Sequence, residues 1–308
     1  GDGKVSYNTK NKIIGKTINQ YSLDEQNGHL RIALYDNDGA KIAIFDENLK
    51  QIGISNHVAK GEKMYSSRFM GNKAYLVTYK TVDPLFVIDL SNETKPTVLG
   101  ELHIPGYSTY LHPYDENHLI GIGMETEEIV NKNSIGKVTS TTSKITGMKM
   151  ALFDVSDVNN PTQLSQTIIG DSRTTSAILT NPKALLFSKE KQLLAIPVNN
   201  YSEDFEIDSS IDSYSSIVDS YTNYNKSYVS EGYFVYKINI NDGFNLKGVI
   251  THETSQKNKN KSSYSYNYNN SKLLRGLYID NNLYTISETA IKVNNLDTLE
   301  LIDELKIK

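Results

Sequence analysis

Residues 64–106 read MYSSRFMGNKAYLVTYKTVDPLFVIDLSNETKPTVLGELHIPG, and they contain four strand patterns in succession. The first is Met64–Met70, followed by the turn residues Gly71–Asn72. In Ala74–Lys80 the residues Tyr75, Val77 and Tyr79 alternate with Leu76 and Thr78. Leu85–Leu90 is an apolar run closed by Asp89, and Val98–Ile104 completes the unit. Short runs of this kind, bounded by Gly, Asn, Asp and Pro, are typical of β-strands joined by tight turns. The stretch is therefore predicted to form one four-stranded antiparallel sheet.

The same unit recurs along the chain. The third strands LFVIDLSNETKP (85–96) and MALFDVSDVNNP (150–161) both place Asp before Ser by two residues and before Pro by seven. Asp46 occupies the same position 43 residues before Asp89, a spacing within the period of roughly 40–50 residues that propeller blades show. The sequence therefore predicts an all-β chain, a β-propeller of four-stranded antiparallel blades.

Five blades can be predicted, and they begin near residues 18, 64, 108, 184 and 273. We expect one propeller domain over 1–308, and an intact protein with more blades is left open. Three polar insertions interrupt the pattern, at 125–147, 201–231 and 255–271. Because the chain begins with Gly1 rather than Met, a C-terminal fragment of a longer exported protein is expected.

The composition excludes several classes of function. A net charge of −4 and a pI near 5.9 do not favour nucleic-acid binding. Cysteine is absent, so disulfides, thiolate metal sites and thiol nucleophiles cannot form. The sequence has no apolar run of about 18 residues, so no membrane span is expected in this chain.

Four segments together carry a resemblance to a known family: YSSRFMGNKAYLVTYKTVDPLFVIDLSNETKPTVLGELHIPGYSTYLHPYDENHLIGIG (65–123), INQYSLDEQNGHLRIA (18–33), FDVSD (153–157) and RGLYIDNNLYTISETAIKVNNLDTLE (275–300). They resemble secreted bacterial and archaeal proteins with a C-terminal β-propeller domain distantly related to WD repeats. The Asp/Ser/Pro repeats separately resemble LVIVD-type repeats of surface proteins. The resemblance implies an exported propeller, at the cell surface or in the medium, with no established enzymatic role. Family members usually carry a further N-terminal part of the propeller domain, whereas the sequence here starts just before the INQYSLDE strand.

The first strand of each propeller blade lines the central channel, so Arg68, Tyr110 and His112 are expected to meet around its axis. A hydrolase or lyase acting on polysaccharide through these residues and a carboxylate is one alternative function. The sequence contains no GxSxG motif and no glycine-rich phosphate loop, so the main expectation is that the chain is not an enzyme.

Two metal sites can be considered. Five residues separate His112 from His118, but YLHPYDENH is better explained as a turn between two strands of blade three. The carboxylates Asp204, Asp208 and Asp212 offer oxygen ligands for calcium, although the spaced DxDxDG loop is absent and a solvated loop is the alternative. No other cofactor is expected.

Two insertions are rich in tyrosine, and the candidate binding residues are Tyr214, Tyr221, Tyr224, Tyr228, Tyr264, Tyr266 and Tyr268. Tyr, Ser and Asn together are typical of adaptable binding loops, because Tyr gives a large contact area at low entropic cost. A low-complexity surface loop is the alternative. The main hypothesis is a non-catalytic extracellular binding module or scaffold for a cell-wall glycan, another exported protein or a host molecule. A structural spacer of a surface protein is a third hypothesis.

Overall fold

Five four-stranded antiparallel sheets make up the fold in the computed structural model, which describes residues 8–79, 83–201, 228–252 and 272–307. Within each sheet the strands are hydrogen-bonded in chain order, so each sheet is one blade. The described residues form no α-helix, only three short 3₁₀ turns at Gln20–Ser22, Ala177–Leu179 and Pro182–Ala184. The prediction of five four-stranded antiparallel blades is confirmed.

The strand bounds follow the chain. Blade one contains β1 (Leu23–Gln26), β2 (His29–Asp36), β3 (Gly39–Phe45) and β4 (Gln51–Ile54). Blade two contains β5 (Lys63–Met70), β6 (Lys73–Tyr79), β7 (Asp83–Asp89) and β8 (Thr97–Ile104). Blade three contains β9 (Tyr107–Asp115), β10 (His118–Lys132), β11 (Val138–Asp154) and β12 (Thr162–Ile169). Blade four contains β13 (Leu186–Ser188), β14 (Leu193–Tyr201), β15 (Tyr228–Asn239) and β16 (Gly243–Ile250), and blade five contains β17 (Leu273–Ile279), β18 (Asn282–Ser287), β19 (Ala290–Asn295) and β20 (Leu301–Lys306).

The chain divides into two compact units, residues 1–168 and 169–308. Blades one to three belong to the first unit, and blades four and five belong to the second. A single domain over 1–308 stays a prediction.

Blade two shows how the first unit builds its core. Ala74 and Leu76 of β6 pack on Ile42 and Ile44 of blade one, all of them fully buried. The alternate residues Tyr75 and Val77 face the other way, toward Leu119 and Phe153 of blade three. Both faces of the sheet are therefore buried, which explains why its second and third strands are almost entirely apolar. In the second unit, Tyr233 and Val235 of β15 pack in the same manner on Leu273 and Leu283 of blade five.

The recurring Asp/Ser/Pro turn has a packing role between blades of the first unit. A Cβ atom added to Gly53 of β4 would lie 1.9 Å from the carbonyl oxygen of Glu93, in the turn of blade two. A Cβ atom added to Gly100 of β8 would lie 2.5 Å from the carbonyl oxygen of Val158, in the equivalent turn of blade three. Each outer strand thus presents a glycine so that the backbone turn of the next blade can approach it closely.

We expect Gly53→Ala and Gly100→Ala each to lower the free energy of unfolding by about 1–3 kcal/mol. The added methyl group would clash with backbone atoms, which move less easily than the end of a side chain. A gain of roughly 0.4–1 kcal/mol from restricting the unfolded chain offsets only part of this cost. Urea unfolding followed by far-ultraviolet circular dichroism measures the change.

Glu101→Ala is the matched control, because Glu101 follows Gly100 on β8 and its side chain is exposed. We expect this variant to stay within about 0.5 kcal/mol of the parent, as surface substitutions usually do. An equal loss in Gly100→Ala and Glu101→Ala would show that the close approach of the turn does not limit stability.

Two elements differ from the sequence prediction. The insertion at 125–147 was predicted as a polar interruption of the strand pattern, with no strands assigned to it, but β10 and β11 continue through it as a paired ribbon, from Thr126–Ile145 to Lys132–Val138. Pairing between the two strands satisfies the backbone N–H and C=O groups of this Thr- and Ser-rich segment. The segment has no apolar face, so its sequence carries no pattern that predicts strands. The first strand of blade one begins at Leu23 rather than Ile18, because Gln20–Ser22 forms a 3₁₀ turn that the Asn19 side chain caps.

Candidate functional site

Three blades of the first unit contribute to one group of polar and aromatic side chains, Tyr21, Arg68, Tyr110 and His112, which we call the first-strand cluster. Arg68 lies on β5, Tyr110 and His112 lie on β9, and Tyr21 comes from the turn before β1. The Arg68 guanidinium carbon lies 4.8 Å from the centre of the Tyr21 ring, a cation–π distance. The Tyr21 and Tyr110 ring centres are 5.4 Å apart, and the Tyr110 hydroxyl lies 2.9 Å from His112 Nδ1.

The electrostatics of the first-strand cluster favour neutral His112 and neutral Tyr110. Burial, and secondly the positive charge of Arg68, lower the pKa of His112 from 6.5 to about 4. Burial, with the nearby Tyr21 hydroxyl, raises the pKa of Tyr110 above its ordinary value, and the Arg68 charge opposes that rise. At neutral pH His112 and Tyr110 are therefore both uncharged beside the Arg68 guanidinium.

A second group, the edge cluster, consists of Tyr65, Tyr79 and Tyr107. The centre of the Tyr107 ring lies 4.7 Å from those of both Tyr65 and Tyr79, and the Tyr65 and Tyr79 centres are 5.9 Å apart. All three residues are half-buried, and Lys63 Nζ lies 5.2 Å from the centre of the Tyr65 ring. Rings at these distances in tilted and edge-on arrangements pack favourably on one another, so they form one aromatic surface.

The edge cluster lies where the long ribbon of blade three begins. Tyr65 and Tyr107 are near the starts of the first strands β5 and β9, and Tyr79 ends the second strand β6. The Tyr79 hydroxyl contacts the hydroxyl of Ser143 on the ribbon. We call this side of the blades, where second strands end and first strands begin, the insertion edge.

A buried ion pair anchors the ribbon at the insertion edge. Lys149 of β11 is 1% exposed, and its Nζ lies 3.4 Å from Glu125 Oε2 of β10 and also contacts the carbonyl oxygen of Pro105. The neighbouring Gly106 has φ +82° and donates its N–H to the Thr126 hydroxyl at 2.9 Å. These contacts fix the point at which the pairing of β10 and β11 shifts register, between Glu125 and Thr126.

In the second unit, the insertion edge of blades four and five carries the other two insertions. The 201–231 insertion connects the end of β14 to the start of β15, and the 255–271 insertion lies between β16 and β17. The starts of β15 and β17 are tied together, because the Leu273 N–H donates to Glu231 Oε1 at 2.7 Å. Both tyrosine-rich insertions are therefore attached to the same edge of their own blades.

The sequence-predicted residues fall into two groups. Arg68, Tyr110 and His112 lie close together, as expected from their places on first strands. The residues that lie outside the described part of the chain are Tyr214, Tyr221, Tyr224, Tyr264, Tyr266, Tyr268, Asp204, Asp208 and Asp212. The backbone of Tyr228 pairs with Tyr201 at the start of β15. It stays a prediction that the tyrosines of these loops bind a ligand and that the aspartates bind calcium.

The two neighbouring histidines do not form a shared site. His118 Nδ1 lies 2.7 Å from Asp115 Oδ1 in the turn between β9 and β10, whereas His112 bonds Tyr110. Within the described ranges, no group of three or more His, Asp or Glu side chains is placed to hold a metal ion. In the same ranges, no helix is long and apolar enough to cross a membrane.

Sequence reasoning missed four tyrosines of these two clusters. Tyr21 lies in a 3₁₀ turn that was predicted as strand, and Tyr65 lies where the pairing of β5 with β6 shifts register. Tyr79 and Tyr107 lie at strand ends. The available signal was the recurrence of Tyr three residues before Arg68 on β5 and three residues before Tyr110 on β9.

Comparison with known proteins agrees with this architecture. The model of the beta propeller domain family matches residues 1–299. The chain belongs to this beta propeller domain family. An uncharacterized protein of Methanocaldococcus jannaschii, MJ1554, is 38% identical over 204 residues, which are 64% of this chain and 30% of that protein. An uncharacterized protein of Archaeoglobus fulgidus is 28% identical over 300 residues, which are 97% of this chain and 36% of that protein.

This propeller chain thus spans about a third of the length of those two relatives. The C-terminal WD40 domain of Sif2 is structurally similar, with a TM-score of 0.38 and 11% identity over 92% of this chain and 70% of that one. The predicted resemblance to propeller proteins is confirmed at the level of the fold family. Its finer parts, LVIVD-type repeats and export, stay predictions.

Proposed function

We propose that this propeller is a non-catalytic extracellular binding module whose ligand surface is the insertion edge. The edge cluster is the observation that carries the proposal. Three tyrosine rings from two blades are packed within 6 Å of one another beside a projecting ribbon. Rigid, half-buried tyrosines are typical of binding hot spots, because they bury a large area with little loss of conformational entropy.

The insertions of each unit leave their blades at the corresponding edge. The ribbon leaves blade three at this edge, and the 201–231 and 255–271 insertions are attached to the equivalent edge of blades four and five. Ligand-contacting residues are commonly placed on loops that a rigid scaffold positions. The ligands proposed for this edge are a cell-wall glycan or another exported protein.

Co-sedimentation of the purified chain with the insoluble cell-envelope fraction of its own organism tests the proposal. We expect the parent chain to be retained, and Tyr65→Leu and Tyr107→Leu each to weaken retention by about tenfold, which is the usual effect of losing an aromatic hot spot. Leucine keeps an apolar side chain, of smaller volume, at each position and removes the ring surface and the hydroxyl group.

Tyr278→Leu is the matched control, because Tyr278 is also half-buried but lies near the end of the first strand β17, away from the insertion edge. Its retention should equal that of the parent. Equal retention of all three variants would remove the insertion edge as the ligand surface. Absence of retention in every condition would favour a structural spacer.

A polysaccharide-active hydrolase or lyase is a second candidate, and the convergence of Arg68, Tyr110 and His112 favours it. An imidazole that is neutral at pH 7 can accept a proton, and a guanidinium can stabilise a developing negative charge. Incubation with envelope polysaccharide should then release new reducing or unsaturated ends, and His112→Gln should abolish the release. Absence of product from the parent chain would remove this candidate.

A further inference from the structure

Arg68 differs from Arg31, the other arginine among the described residues of the first unit. Arg31 pairs with Asp24, and the guanidinium of Arg31 is almost fully buried. Arg68 is half-buried, yet no carboxylate of the described residues lies within ion-pair distance of it. Its contacts are the face of the Tyr21 ring and the hydroxyl group of Tyr110, and neither carries a negative charge that would balance the guanidinium. A partly desolvated cation without a counterion is costly unless an anion approaches from outside the fold.

The neighbouring imidazole responds to this uncompensated charge. Arg68 contributes to the lowered pKa of His112 and opposes the raised pKa of Tyr110. The two effects have the signs that a positive potential at the cluster produces, since it disfavours a cation and favours an anion. A single negative group bound at Arg68 would be stabilised by the same field.

Both clusters take residues from the same two first strands, β5 and β9. Tyr65 precedes Arg68 by three residues on β5, and Tyr107 precedes Tyr110 by three residues on β9. At about 3.3 Å per residue, the two clusters are roughly 10 Å apart along the strands. A ligand with several linked units can therefore contact tyrosine rings at the edge and reach Arg68.

We propose that the ligand of the insertion edge is an acidic polysaccharide and that Arg68 binds the carboxylate of one of its uronic acid units. This inference rests on the function proposed above. The planar guanidinium matches a carboxylate with two parallel N–H···O bonds, and one arginine balances its single charge, whereas a phosphate usually gathers more cations. Tyrosine rings beside the arginine favour a sugar, whose apolar ring face can pack on them, over an acidic peptide.

Polygalacturonate and its methyl ester are the probes, because they differ only in the carboxylate. We expect the parent chain to bind the acid form at least tenfold more tightly than the ester in equilibrium titrations. Arg68→Gln should bind both forms equally, at the affinity that the parent shows for the ester. Tyr65→Leu should weaken binding of both forms, and Arg275→Gln, which alters an exposed arginine of β17, should behave as the parent.

The His112 resonance in NMR gives a readout that a loss of folding does not imitate. Bound polygalacturonate should raise the pKa of His112 in the parent, because the carboxylate neutralises Arg68. In Arg68→Gln the pKa of His112 should rise without ligand and should not change further when ligand is added. An unchanged His112 titration in the parent at saturating polygalacturonate would overturn the inference.

Failure of this inference can be told apart from failure of the proposed function. Equal affinity of the parent for the acid and the ester, or binding of neither, overturns the carboxylate site, while envelope retention that depends on Tyr65 still supports the insertion edge. Tighter binding of polyglutamate than of polygalacturonate also overturns the inference, because an acidic peptide would then be the preferred ligand. If envelope retention does not depend on Tyr65, both this inference and the proposed function are overturned.

Discussion

Lys149→Met should lower the free energy of unfolding of this propeller by about 3–5 kcal/mol, which is the usual cost of removing one partner of a buried ion pair. Lys149 is 1% exposed and Glu125 is 7% exposed, so water cannot solvate the carboxylate that the substitution leaves behind. Methionine has nearly the length of lysine, so the loss would come from charge rather than from an empty cavity. Urea unfolding followed by circular dichroism measures the effect.

The double variant Lys149→Met/Glu125→Leu separates the charge from the packing. Replacing both members of a buried pair by apolar side chains is often neutral, so most of the lost stability should return. If the free energy of unfolding of Lys149→Met alone stays within about 1 kcal/mol of the parent value, then water or a rotation of the Glu125 side chain relieves the unpaired charge. Either result bears on function, because Glu125 and Lys149 hold the base of the ribbon at the insertion edge.

The blade architecture could be predicted from the sequence because packing dictates it. Both faces of the second and third strands are buried, so the run from Leu85 to Ile88 is apolar throughout. The Asp/Ser/Pro turn repeats because Asp89 and Asp154 each accept the N–H of the Ser two residues later. Each such turn also lies against the preceding blade, so its position is constrained twice.

The ribbon and the edge cluster could not be predicted in the same way. Residues 127–142 are exposed on both faces, so no apolar periodicity marks them as strands, and only the backbone pairing does. Tyr79 and Ser143 are 64 residues apart and meet because the ribbon lies next to blade two. Proximity of Arg68, Tyr110 and His112 could be predicted, because it depends only on the rule that first strands of successive blades are neighbours.

Acidification from pH 7 to pH 4 should lower the stability of the second unit by about 3 kcal/mol through one residue, His252. Its side chain is 6% exposed, and its ring nitrogens lie 3.0 Å from the Ser287 hydroxyl and 2.7 Å from the Thr285 hydroxyl. Burial, and secondly the Lys292 charge, lower the pKa of His252 from 6.5 to about 4, against the opposing charge of Glu304. The unfolded chain therefore binds a proton at a higher pH than the folded chain does.

This difference in proton binding determines whether stability rises or falls with pH. Above pH 6.5 the imidazole is neutral in both states, and its contribution to stability is complete. As the pH falls from 6.5 to about 4, only the unfolded state gains the proton, so the free energy of unfolding decreases, and it stops decreasing below the folded pKa. Asp36, whose pKa its bond to Lys41 lowers to about 2, loses its contribution only between about pH 4 and 2.

His252→Gln and His103→Gln form the matched pair for this test, because the His103 side chain is 54% exposed. Glutamine can still hydrogen-bond to the hydroxyl groups of Ser287 and Thr285 but does not titrate, so this variant should lose the decrease between pH 6.5 and 4 in urea unfolding. The His103 variant should keep the pH profile of the parent to within a few tenths of a kcal/mol.

The pKa of His112 is also lowered to about 4, so His112 adds a similar decrease in stability in the first unit. The pH dependence of the free energy of unfolding that remains in His252→Gln should therefore belong to blades one to three. A parent profile that is flat from pH 7 to 4.5 would mean that the folded protein protonates His252 without cost, and the burial argument for both histidines would then be wrong.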